Sequence, residues 1–131
     1  MGFSDLSLTS ILAAAFAGMI SGAIWYGIFA KPWMRAVGFD EQPSPHPGIY
    51  LVAIAAQLII AVMFAFLFRH FPQVSLTDGL AAALFCWLGF CVAPMAVNHR
   101  FQSKGWDLTL IDGGYWLVVF LLQGAMIAWL G

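Results

Sequence analysis

Residues 48–68 read GIYLVAIAAQLIIAVMFAFLF, 21 positions with no charged side chain and one amide, Gln57. A run of about 20 apolar residues is the length that crosses a ~30 Å hydrocarbon core, so this stretch predicts a transmembrane helix. Three further runs have the same character: about 8–30, 79–98 and 109–130. Between them the four runs use nearly all of the 131 residues, leaving connections too short for a separate soluble unit. The expected fold is therefore all-α: a single four-helix transmembrane domain over residues 1–131, in a compact bundle.

Composition agrees. The chain is 63% hydrophobic and 8% charged, with a mean hydropathy of +0.91, beyond what a water-facing surface tolerates. Five basic and six acidic residues give a net charge of -1, which provides no basic field for nucleic acid. The expected partners are the lipid bilayer and other membrane proteins, either copies of the same chain or a larger membrane complex. The N-terminal MGFSDLSLTS has neither the basic region nor the small-residue cleavage site of a signal peptide, so the first run reads as a retained helix.

Lysine and arginine set the orientation. Lys31, Arg35, Arg100 and Lys104 fall on one side and Arg69 on the other, and loops rich in positive charge are preferentially kept in the cytoplasm. This predicts both termini on the outer side of the membrane. After the first run, KPWMRAVGF (Lys31 to Phe39) has Pro32 suited to a helix start, Gly38 suited to a stop, and Trp33 between two bases. It reads as a short interfacial helix. The following EQPSPHPG is extended, and Pro47 can open the second long helix.

Small residues recur at steps of four. Ala14, Gly18 and Gly22 form one row, and Ala53, Gln57, Ala61 and Ala65 another. In lipid such rows let helix backbones approach closely, so Gly18, Gly22 and Gln57 are expected at helix contacts, within one chain or between copies. LAAA recurs at Leu12 and Leu80, and a Gly-x-Tyr at Gly48 and Gly113, a faint echo of duplication. Cys86 and Cys91 lie on different sides of one helix and read as buried thiols.

Polar groups inside hydrocarbon need partners. Trp25, Tyr26, Tyr50, Asn98, Asp112, Tyr115 and Trp116 all fall in the cytoplasmic third. They form either an aromatic belt facing lipid or a polar pocket with Asp112 and Asn98 turned inward. Asn98, just beyond the Pro94 kink, either caps its helix or bonds to Asp112 or a tyrosine. Gln57 and Gln123, nearest the midplane, are expected to bond facing helices. Asp112, Trp116, Val119 and Gln123 share one helical face. In TLID, Thr109 and Asp112 have capping-box spacing, so Asp112 reads either as a helix cap or as a functional acid. The glycines after it, Gly113 and Gly114, mark close approach of a neighbour. His46, His70 and His99 have no ligand spacing, so neither a metal nor a cofactor is expected. No nucleophile with its base is recognisable, so a non-enzymatic module is expected, self-associating or an accessory subunit. A small proton-linked transporter or channel using Asp112 is its rival.

The motifs WYGIFAKPWMRAVGF, NHRF and LIDGGYW together resemble a family of small bacterial integral-membrane proteins, domain-of-unknown-function family 1761. The resemblance covers nearly the whole chain. It implies four helices and no established activity.

Overall fold

The computed structural model describes residues 6–131; the reading of the first five residues lies outside them. Helix α1 (Leu8–Ile28) starts where the Ser7 side chain accepts from the Ser10 N–H, covering a donor that a helix start leaves free. One residue, Phe29, separates α1 from the short α2 (Ala30–Val37), which ends at Gly38 with φ of 97°. That left-handed conformation carries little penalty without a Cβ, which is why the helix stops there. An irregular proline-rich stretch leads to α3 (Gly48–Phe68). The last two long helices are α4 (Leu76–Phe101) and α5 (Trp106–Leu130). The four long helices have the length and composition to cross a membrane, and the expected all-α bundle with a short helix after the first is what the chain forms.

Two helix starts differ from the sequence reading. Helix α4 begins three residues earlier, at a capping box in which the Ser75 hydroxyl accepts from the Asp78 N–H and the Asp78 carboxylate from the Ser75 N–H, both at 3.1 Å. Helix α5 begins at Trp106, with Gly105 as its cap residue and Asp107 in the first turn. Asp112 therefore lies in the second turn and caps nothing. Thr109 is likewise inside the helix, where its hydroxyl accepts from Arg100 Nη2 at 2.6 Å and bonds His99 Nδ1 at 2.8 Å. The start moves outward because Trp106 covers the Arg100 guanidinium at 3.8 Å and Asp107 supplies the acid that a helix N-terminus favours.

Helix α5 is the centre of the packing, in contact with α1, α3 and α4, while α1 also packs on α3. The two small-residue rows face inward within one chain. Ala14 and Ala61 are fully buried, and a Cβ on Gly18 would collide with the Gln57 amide. Helix α4 joins α5 through a third row that the sequence reading missed, Gly79 and Ala83 against Gly124 and Ala128. A Cβ on Gly124 would fall 2.8 Å from Ala83 Cβ and 3.0 Å from the Gly79 carbonyl oxygen. Side chains of α3 and α4 line an open groove floored by Trp116 and Phe120. At the opposite end from the four bases, Ile11, Phe64, Phe68 and Ile127 close an apolar core.

Pro94 acts differently from a simple kink. The preceding segment Trp87–Val92 widens into a π-helix, and the Ala93 N–H reaches the Leu88 carbonyl. A wider turn absorbs a position that lacks an N–H. It also changes the helix phase downstream, which decides which side chain of NHRF meets α5.

Candidate functional site

Among the described residues, Asp112 is the only carboxylate on the wall of a cavity of about 710 Å³ between α1, α3 and α5, covered by Trp33 of α2 and by Gln42, Pro43 and Pro45 of the loop. Tyr26 Oη donates to Asp112 Oδ1 at 2.6 Å, a short hydrogen bond. On the α4 side, His99 Nε2 stands 3.9 Å from Asp112 Oδ2. Rings enclose the carboxylate: Tyr26 lies edge-on to Trp33 at 6.0 Å and to Tyr115 at 5.3 Å, and Tyr115 is 4.9 Å from Trp116.

A second set of polar groups leads from this cavity toward mid-depth. Tyr115 Oη donates to the Gly18 carbonyl at 3.0 Å and accepts from Gln57 Nε2 at 2.9 Å. Gln123 Nε2 donates to Gln57 Oε1 at 2.7 Å and more weakly to the Gln57 carbonyl at 3.3 Å. Both amides are essentially fully buried. Gln123 Oε1 has no hydrogen-bond partner among the described residues, so the line ends on an open acceptor. The glutamines bond facing helices as expected, and the partner of each is the other.

The aromatic residues near the end that carries Lys31, Arg35, Arg100 and Lys104 divide. Tyr26, Trp33, Tyr50, Tyr115 and Trp116 line the cavity, whereas Trp106 is 62% exposed and faces outward. Trp25 is a clamp instead of a lining residue. Its indole N–H donates to the Ile111 carbonyl at 3.0 Å, and its ring lies where a Cβ on Gly114 would come within 2.8 Å. Gly113 does the same toward α4, with Val92 packed above it and Trp87 Nε1 donating to its carbonyl at 2.8 Å. Gly114 thus admits the Trp25 ring and Gly113 the Val92 side chain, the close approach of neighbours that the sequence predicts.

Asn98 is the exception. It neither caps, since the helix runs on to Phe101 with Gln102 as its cap residue, nor meets Asp112. It is exposed and lines the α3–α4 groove on the far side of α5. His99, one residue on, holds the place expected of Asn98. The phase change at the π-helical turn accounts for this, since a wider turn uses more residues per revolution. His46 and His70 lie away from the site, bonding Gly48 N–H and the Phe66 carbonyl respectively.

With this geometry in view, comparison with known proteins adds one match: a family model described as Protein of unknown function (DUF1761) covers residues 9–128. The chain belongs to the DUF1761 family. No curated protein and no solved structure matches it. The DUF1761 family carries no activity to transfer, so the chemistry of the cavity is the basis for a functional reading.

Proposed function

We propose that this protein is a small non-enzymatic, proton-linked membrane transporter whose working group is Asp112. One observation carries the reading: an acidic side chain inside the helix bundle, hydrogen-bonded to Tyr26 at 2.6 Å, forms part of the wall of a cavity about 710 Å³ in volume. Acids within transmembrane segments are costly and mark ion or substrate routes by default. Tyr26 of α1 holds one carboxylate oxygen by donating to it, and His99 of α4 stands 3.9 Å from the other, so a proton leaving the carboxylate has the His99 imidazole as a nearby acceptor.

The polar line Tyr115–Gln57–Gln123 extends the route to mid-depth, and the apolar core of Ile11, Phe64, Phe68 and Ile127 bars the remaining half. That is the arrangement of a site open to one side, and transport requires the other half to open in turn. By the lysine and arginine distribution, the open side is the cytoplasm and both termini lie outside, in a bacterial inner membrane. Proteoliposomes carrying an internal pH dye test this. The wild type acidifies or alkalinises with an imposed gradient and Asp112→Asn does not; equal fluxes would overturn it.

Self-association, or service as an accessory subunit of a larger complex, is the second reading. The small-residue rows that favour it in the sequence are occupied within the chain, but α4 has only 6% of its most apolar window buried, against 22–33% in the other long helices. Native mass spectrometry in mild detergent tests this, and a monomer with no co-purifying protein would contradict it.

A further inference from the structure

We propose that the Asp112 cavity binds an organic ammonium cation, with its charge at Asp112 and its apolar part between α1 and α3. This rests on the reading of Asp112 as the working group and names the class of ligand it accepts.

The argument is charge and shape. Among the described residues the cavity wall contains one carboxylate and no lysine, arginine or histidine, so a cationic occupant is the natural source of countercharge on that side. Five aromatic side chains, Tyr26, Trp33, Tyr50, Tyr115 and Trp116, surround the space. Aromatic faces attract cations and recognise substituted ammonium groups in particular, because these shed water more easily than a small inorganic ion. Tyr26 and Trp33 both hydrogen-bond the carboxylate, which has about four acceptor positions, so capacity remains for an N–H donor or a direct charge contact. The volume of about 710 Å³ suits a molecule with substantial apolar bulk, within the roughly 300–1,000 Å³ usual for small-molecule cavities. Met19, Ala23, Ile49 and Ala53 provide the apolar flanks. His99 faces the carboxylate from the α4 side, 3.9 Å from Oδ2, and leaves its cavity side open; there an anion meets the carboxylate and the ring faces unfavourably, and a neutral solute gains nothing from the charge.

A free cation from the aqueous side and the amine headgroup of a membrane lipid share this chemistry. Equilibrium dialysis of radiolabelled benzyltributylammonium against the full chain in phosphatidylglycerol nanodiscs tests the site, with benzyl alcohol and benzenesulfonate as neutral and anionic controls. Expected are saturable binding of the cation alone, at least tenfold weaker binding in Asp112→Asn, threefold to tenfold weaker binding in Trp33→Leu, and no change in Asn98→Ala, across α5 from the cavity. Adding phosphatidylethanolamine weakens the probe's binding if the lipid amine is an occupant and leaves it unchanged if a free cation is; both support the site. Absence of saturable binding, or full affinity in a folded Asp112→Asn, would overturn it. Should Asp112→Asn fail to fold, Trp33→Leu decides. Cation binding without proton flux defeats the transport reading and leaves this site standing, and flux without cation binding does the reverse.

Discussion

Replacing Gln57 and Gln123 by methionine, singly and together, probes the contact that joins α3 to α5 at mid-depth. Methionine keeps the length and flexibility of glutamine and removes both polar groups. Gln57→Met removes two side-chain bonds, the one donated to Tyr115 at 2.9 Å and the one accepted from Gln123 at 2.7 Å. Hydrogen bonds between membrane helices average roughly 0.6 kcal/mol and reach about 1.7, so two of them, with Gln123 left short of an acceptor, give a loss of about 1–3 kcal/mol. Gln123→Met removes the shared bond and the weak one to the Gln57 carbonyl at 3.3 Å and leaves Gln57 Oε1 without its donor, but it also removes Gln123 Oε1, which has no partner among the described residues, and relieving an unsatisfied buried acceptor offsets part of the loss. Its expected loss is smaller, about 0.5–1 kcal/mol. The double variant loses the shared bond only once, so its loss falls short of the sum by about 1 kcal/mol, beyond the ~0.3–0.5 kcal/mol scatter of independent sites. Unfolding in mixed micelles with rising dodecyl sulfate, followed by helical circular dichroism, measures all four proteins. Additive losses, or a larger loss for Gln123→Met than for Gln57→Met, would refute the reasoning.

Two other substitutions follow from the packing. Gly124→Leu forces a side chain against Ala83 and the Gly79 backbone, which cannot yield as a flexible side-chain tip can; a loss of about 1–3 kcal/mol is expected in the same assay, whereas Gly27→Leu, with nothing within 4 Å of its Cβ position, is neutral. Ser75→Ala removes one arm of the α4 capping box and lowers stability by about 1 kcal/mol, with faster amide exchange confined to the first turn of α4.

The long helices are legible in the sequence because their signal is collective: the unbroken apolar run 48–68 coincides with α3 at both ends. Helix starts are less legible where capping residues lie outside the apolar run, and Ser75 and Asp78 illustrate this. The spacing that names their capping box occurs in SLTD as plainly as in TLID, and only the first of the two stands at a helix start. Asp112, Tyr26 and Tyr115 are legible as site residues from depth alone, since three polar groups near one membrane face have few places to go. His99 is not, because its selection over Asn98 depends on the π-helical turn at Trp87–Val92, a departure from periodicity that no 3.6-residue pattern anticipates. The loop residues Gln42, Pro43 and Pro45 that cover the cavity are equally hidden, as an extended segment carries no periodicity to show where it folds back.

The account depends most on a cavity at Asp112 that water reaches from the side carrying Lys31, Arg35, Arg100 and Lys104. Ala53 lines that cavity. In a chain with Cys86 and Cys91 replaced by alanine, the substitution Ala53→Cys puts a single thiol there. A membrane-impermeant maleimide offered to sealed right-side-out and inside-out vesicles reports access directly. Labelling in inside-out vesicles alone, diminished by benzyltributylammonium, is the expected result. Labelling from the outer side, or none from either, would contradict it.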